Sequence, residues 1–190
     1  MYELKFHGLG GEGIVTVGEL MAKAAIVDGK WAQSLPYFST ERRGSPVMAS
    51  VRIDNSPIWI KSFVQNPDLV AVTNESVMKF IDVGEGLREK GTLLINTSKP
   101  EKQLQAGKPY TVHTINATEI ATQIIKSPIA NTVMLGAVLA VDDVVSFQSL
   151  TEAVKDAFPT EMAARNITAM EAAYKMIKEL EEPATSLARK

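Results

Sequence analysis

The 190-residue sequence has no cysteine, only two histidines and two tryptophans, and charges that almost cancel to a net −2. Without cysteine there is no disulfide, thiolate metal site or cysteine nucleophile. An iron–sulfur cluster held by several thiolates is excluded as well, so any electron-transfer centre is expected on another chain. The small net charge leaves no footprint for nucleic acid or a charged membrane surface. No apolar run approaches the length of a membrane span, and the opening "MYELKF" lacks the basic segment and apolar core of a signal peptide. A cytoplasmic chain with no nucleic-acid or membrane partner is the expectation. A chain this long buries roughly 70% of its unfolded surface when it folds, so it can build a core without staples.

What is present alternates between strand and helix patterns. "YELKFHG" (2–8) reads as a first strand. The helical spacing of Leu20, Met21, Ala24 and Val27 runs on to a stop at Asp28 and Gly29. "WAQSLP" reads as a short second strand and "YFSTERRGSP" as a loop. "VMASVRI" and "PIWIKS", separated by "DNS", suggest a β-hairpin. "DLVAV", "GTLLIN" and "YTVHTI" resume the wound pattern, and Asn74 before Glu75 and Ser76 fits a helix start. "NTVMLGAVLAV" is apolar nearly all round, which predicts a helix buried on most sides.

In the last segment Thr160 suits an N-cap. Ala163, Ile167, Met170, Tyr174 and Ile177 make one stripe of a long helix ended by Pro183. The fold class is therefore α/β: a Rossmann-like three-layer domain with a mostly parallel sheet, an inserted β-hairpin and a long C-terminal helix. A single domain is expected over 1–182, with a mobile tail at 183–190.

Between the first strand and first helix stand Gly8, Gly10, Gly11 and Gly13. Glycines there let the backbone turn tightly and approach a ligand, and free N–H groups of the following helix favour an anion. Tight packing of that helix on the sheet needs the same residues, so both uses remain open. Two features oppose a self-sufficient dinucleotide site. The second strand ends in Leu35, Pro36 and Tyr37 rather than the acidic residue that holds ribose hydroxyls. Glu12 also lies inside the loop, where a carboxylate about 5 Å from a phosphate opposes it by roughly 3 kcal/mol per unit charge at an effective dielectric of 20.

Arg42 and Arg43, beside the flexible Gly44, lie in a charged loop of the sort that is usually just solvated. Paired guanidinium forks near a glycine turn also suit phosphates and carboxylates. Here the sequence resembles a known family. "GLGGEGIVTVGELMAKAA" followed by "AQSLPYFSTERRGSPVMASVRIDNSPI" is similar to the gamma subunit of 2-oxoacid:ferredoxin oxidoreductases, the group of the pyruvate and 2-oxoglutarate enzymes. The likeness continues through "LLIN", "NTVMLGAVL" and "RNITAMEAAY" to about Tyr174, and its most specific part is the arginine pair followed by Gly44, Ser45 and Pro46. The chain departs from the family at Glu12, commonly glutamine. It departs again at Ser39 and Thr40, often Gly-Pro, and at Ala172 and Ala173, near which a glycine is frequent.

The resemblance implies one piece of a multi-subunit enzyme that oxidatively decarboxylates a 2-oxoacid, passes electrons to ferredoxin or flavodoxin and makes an acyl-CoA. Alpha, beta and ferredoxin-like delta partners would hold thiamine diphosphate, Mg2+ and the iron–sulfur clusters. This chain has no Gly-Asp-Gly diphosphate motif, since "GEG" at Gly84–Gly86 lacks the aspartate. It would carry no catalytic or metal-binding residue, and would serve architecture and part of the coenzyme A wall. Gly8, Gly10, Gly11, Gly13, Arg42 and Arg43 would be the contacts. A free-standing NAD(P)-dependent oxidoreductase and a pure scaffold are the competing readings.

Other residues read as structural. His7 and His113 fall at strand ends and fit satisfied structural histidines. Asn131 fits a helix cap, and Asn166 fits a polar position on the last helix. Burial of at least one of Trp31 and Trp59 is expected, with a subunit interface as the other use of such aromatics. Asp142 and Asp143, adjacent and therefore divergent on a helix, suit a helix end rather than a catalytic dyad.

Overall fold

The computed structural model describes residues 1–38, 44–105 and 107–181. Six strands form one sheet in the order β2-β3-β1-β4-β5-β6: β1 (Tyr2–Leu9), β2 (Trp31–Phe38), β3 (Pro46–Asp54), β4 (Leu69–Val72), β5 (Thr92–Asn96) and β6 (Thr111–Ile115). β1, β4, β5 and β6 run parallel, while β3 pairs antiparallel with both β1 and β2. Sheet order therefore reverses direction beside β1. In such a sheet the carboxyl ends of β1 and β4 flank the crevice where α/β proteins place ligands.

The hairpin exists, but its strands are β2 and β3, in register from Trp31↔Asp54 to Phe38↔Val47. "PIWIKS" is not a strand. Pro57 has no N–H for a ladder, and the segment instead returns over β3, where the Ser62 carbonyl accepts from Arg52 at 2.5 Å and the Val64 N–H donates to Ser50 Oγ at 3.3 Å. Pro36 is tolerated within β2 because this strand is the sheet edge.

Alternation along the strands divides the core between two faces. Leu4, Phe6, Ala49, Val51, Leu69, Ala71 and Leu94 turn to one side, against α1 (Ile14–Val27), α4 (Asn131–Val141), α5 (Phe147–Ala157) and α6 (Thr160–Glu181). Residues 132–140 of α4 are all buried, as the all-round apolar pattern requires. A Cβ at Gly136 would collide with the Met170 carbonyl oxygen, so glycine is what lets α4 and α6 approach so closely. Thr160 is the first residue of α6 rather than its cap, the Pro159 carbonyl accepting from Ala163 at 2.8 Å. The tail at 183–190 lies outside the described residues.

On the other face Val70, Val72, Leu93, Ile95 and Val112 pack against Val77, Val83, Leu87 and Tyr110. Their cover is a 3-10 turn, Glu75–Lys79, followed by irregular chain. Asn74 starts that turn, its side-chain oxygen accepting from Ser76. A full helix does not follow because Gly86 takes φ 75° against the Gln65 carbonyl. The short helices α2 (Glu101–Gln105) and α3 (Ala117–Ile120) flank β6, and α3 runs into a π-turn, Ala121–Ile125.

Candidate functional site

The glycine loop joins the end of β1 to α1. Gly11 (φ 95°) and Gly13 (φ 75°) are both left-handed, a conformation side chains resist. The Gly13 carbonyl accepts from Val17 at 3.1 Å and lies 3.5 Å from Asn131 Nδ2, and a Cβ on Gly13 would collide with that nitrogen. Gly8 has a packing reason, since its Cβ would run into Thr73 Oγ1 and Ile14 Cδ1. The first N–H groups of α1, at Ile14, Val15 and Thr16, have no partner within the helix. No acidic residue stands in that first turn, so no side chain of α1 offsets the positive end of the helix.

Arg42 and Arg43 lie outside the described residues. The chain that follows them is anchored at the glycine loop, with the Gly44 N–H donating to the Gly10 carbonyl at 3.2 Å and Gly10 N–H to the Ser45 carbonyl at 2.8 Å. Gly10 is thus a clasp between the two motifs that the sequence singles out.

Glu12 does something the sequence did not reveal. One of its carboxylate oxygens accepts from the Leu9 N–H at 3.0 Å and the other from Asn74 Nδ2 at 2.6 Å. The side chain bridges the loops after β1 and β4, across the crevice a dinucleotide would use. Leu9 and Asn74 are farther apart in sequence than any local pattern reaches, so only the fold reveals the contact.

Asn131 and Asn166 also prove to be more than a cap and a surface group. Asn131 is the first residue of α4, its oxygen accepting from Thr132 N–H at 2.8 Å while its nitrogen approaches Gly13. Asn166 is buried, accepts from the Thr132 hydroxyl and donates to the Met162 carbonyl at 2.8 Å. Both line a cleft of about 530 Å³ whose walls include Ile125, Ile129, Phe158 and Met162. Ile125, the last residue of the π-turn, lines it and is followed by Lys126, a non-glycine residue at φ 64°. π-turns and left-handed side chains gather at functional sites.

The histidines stand apart from this constellation. His7 is 7% exposed, and its Nδ1 is buried without a hydrogen-bond partner, so it is not the satisfied histidine expected; burial pushes its pKa down to about 4. His113 Nδ1 lies 3.3 Å from Glu101. Neither tryptophan is buried: Trp31 is 54% and Trp59 85% exposed, because Trp31 opens the edge strand and Trp59 lies on the irregular return chain. Asp142 follows the end of α4 and accepts from the Tyr2 hydroxyl at 2.6 Å. Among the described residues no three His, Asp or Glu side chains gather as a metal site, and no helix is long and apolar enough to cross a membrane.

Residues 3–176 match the family described as pyruvate ferredoxin/flavodoxin oxidoreductase. The chain belongs to this family. Within the pyruvate ferredoxin/flavodoxin oxidoreductases it is similar to the pyruvate synthase subunit PorC of Methanothermobacter thermautotrophicus, with 44% identity across 95% of this chain and 98% of that one. Against the pyruvate/ketoisovalerate oxidoreductase common subunit gamma of Pyrococcus furiosus, identity is 41% across 92% and 96%. The crystal structure of pyruvate oxidoreductase subunit PORC from Thermotoga maritima superposes with a TM-score of 0.79 at 32% identity, covering 92% of this chain and 95% of that one. The chain is a gamma-type subunit of an oxidoreductase complex, matched nearly end to end by relatives that are themselves subunits.

Proposed function

We propose that this gamma-type subunit works in the cytoplasm with alpha, beta and ferredoxin-like delta partners. The assembly converts a 2-oxoacid and coenzyme A into an acyl-CoA and CO2, delivering two electrons to ferredoxin or flavodoxin and releasing a proton. Thiamine diphosphate, Mg2+ and iron–sulfur clusters belong to the partners, where they supply carbanion stabilisation and electron transfer. This chain, acting as one unit through residue 182, completes the architecture and contributes part of the coenzyme A docking surface.

The observation carrying this reading is the end-to-end match to stand-alone subunits by a chain that has no cysteine to hold a cluster. For coenzyme A, support comes from the glycine loop. The open N–H groups of α1 suit phosphates, and the clasp at Gly10 ties the segment following Arg42 and Arg43 to the same loop. Gly11 and Gly13 form the turn, while Gly8 and Gly10 hold it in place.

Co-production with and without partners tests the assignment. The chain alone is expected to carry no chromophore and to turn over nothing, while the assembled complex decarboxylates a 2-oxoacid in a coenzyme A-dependent manner. Full activity from a complex lacking this chain would reject it. Replacing Arg42 and Arg43 by alanine in the complex should raise the KM for coenzyme A roughly tenfold. An unchanged KM would leave a purely architectural subunit.

A further inference from the structure

We propose that Glu12 and Asn74 form a latch across the crevice between the carboxyl ends of β1 and β4, and that Glu12 is thereby a positioning residue for the anion held at the start of α1. The inference rests on the reading that this loop takes the phosphates of coenzyme A. It goes further by assigning a role to a carboxylate whose charge alone opposes that ligand.

The argument is one of donors and acceptors. Asn74 Oδ1 is committed to the Ser76 N–H at 3.0 Å, so only its NH2 faces Glu12, at 2.6 Å. The second group facing Glu12 is the Leu9 N–H at 3.0 Å, which can only donate. Each of these two donors meets its own Glu12 oxygen, and an ionised carboxylate is the side chain that offers two acceptor oxygens and no donor. Hydrogen bonds to an ionised acceptor are the stronger kind. Its hydrogen bonds go to Leu9 and Asn74 rather than to the N–H groups of α1's first turn.

The latch also determines where the loop stands. Glu12 lies between left-handed Gly11 and Gly13, two residues with little intrinsic preference for any one conformation. Gly10 is clasped to residues 44 and 45 on one side, and Gly13 abuts Asn131 on another. Glu12 supplies the tie to β4. Without it the loop's N–H groups lose a fixed direction, and an anion bound there must pay for ordering them.

The pairing can be reversed without changing shape. In Glu12→Gln, an amide NH2 faces one of the two donors; in Asn74→Asp, two carboxylates face each other. In the double variant E12Q/N74D, the introduced amide accepts from Leu9 through its oxygen and donates through its NH2 to the introduced carboxylate, whose other oxygen still caps Ser76. Kinetics of the assembled oxidoreductase and hydrogen–deuterium exchange of residues 8–13 test this. Each single variant should raise the KM for coenzyme A roughly three- to tenfold with the 2-oxoacid KM unchanged, and should accelerate exchange. The double variant should restore both, a rescue that merely lost structure would not produce.

A lower KM for coenzyme A in E12Q, unchanged exchange in the single variants, or a double variant no better than the worse single one overturns the latch. If R42A/R43A shifts the KM and the latch variants do not, the latch alone fails. If neither set shifts it, both the positioning role and the coenzyme A reading fall.

Discussion

Arg52 carries its guanidinium into the interior, with 3% of the residue's surface exposed. The group reaches Glu3 at 2.8 Å, the Ser62 carbonyl at 2.5 Å and Gln33 at 3.4 Å, while Arg88 joins Glu3 to Asp68. Removing Arg52 takes the donor from one oxygen of the buried Glu3 and from the Ser62 carbonyl, while Arg88 still holds the other Glu3 oxygen. Arg52→Ala is therefore expected to lower unfolding free energy by about 1–3 kcal/mol in urea titrations, whereas removing the exposed Lys23–Asp156 pair should be near neutral. His7 gives the opposite kind of effect. Its pKa falls from the ordinary 6.5 to about 4 because burial disfavours the charged ring. Between those values the unfolded chain binds the proton and the folded one does not, so stability declines as pH drops through that window. The full span is worth about 3 kcal/mol. Unfolding measured from pH 7 to pH 4 should show this slope, and His7→Gln should flatten it. His7 is not the satisfied structural histidine expected from sequence, and nothing local marks Arg52, because their environment comes from strands and loops far along the chain.

Among elements, the crossing of α4 over α6 is the tightest constraint. Gly136→Ala places a methyl group against the Met170 carbonyl and is expected to destabilise the chain by about 1–3 kcal/mol, with a matching drop in Tm by calorimetry. Elements whose signal is local were legible in sequence: α1 from its spacing and the Asp28–Gly29 stop, α4 from unbroken apolarity, α6 from its stripe. Those settled by partners were not. Residues 57–62 have strand composition yet lie beyond the last available edge, since β2 already occupies the place beside β3. Residues 75–89 carry helical residues, but Gly84 and Gly86 and the closeness of Gln65 impose turns. The glycine loop was legible as a motif. Its ties to Asn74, Ser45 and Asn131 were not, because each spans a distance in sequence over which no periodicity operates.

At the scale of the whole molecule, the sheet's two faces are unequally clothed: α1 and α4 pack on one, with α5 and α6 against them, while turns and short elements cover the other. Both tryptophans remain in solvent. The isolated folded chain is therefore expected to show red-shifted emission and acrylamide quenching close to those of the urea-unfolded chain; a blue-shifted native spectrum would contradict the exposure of both rings. The layering also imposes an order on biosynthesis. α4 leaves the ribosome apolar on every side, yet the α6 surface that shelters it is encoded afterwards, through residue 181. At about 5–20 residues per second, the nascent chain carries a greasy, unsheltered helix for several seconds. Translation arrested between α4 and α6 should therefore yield a chain that depends on chaperones, while release after α6 should remove that dependence.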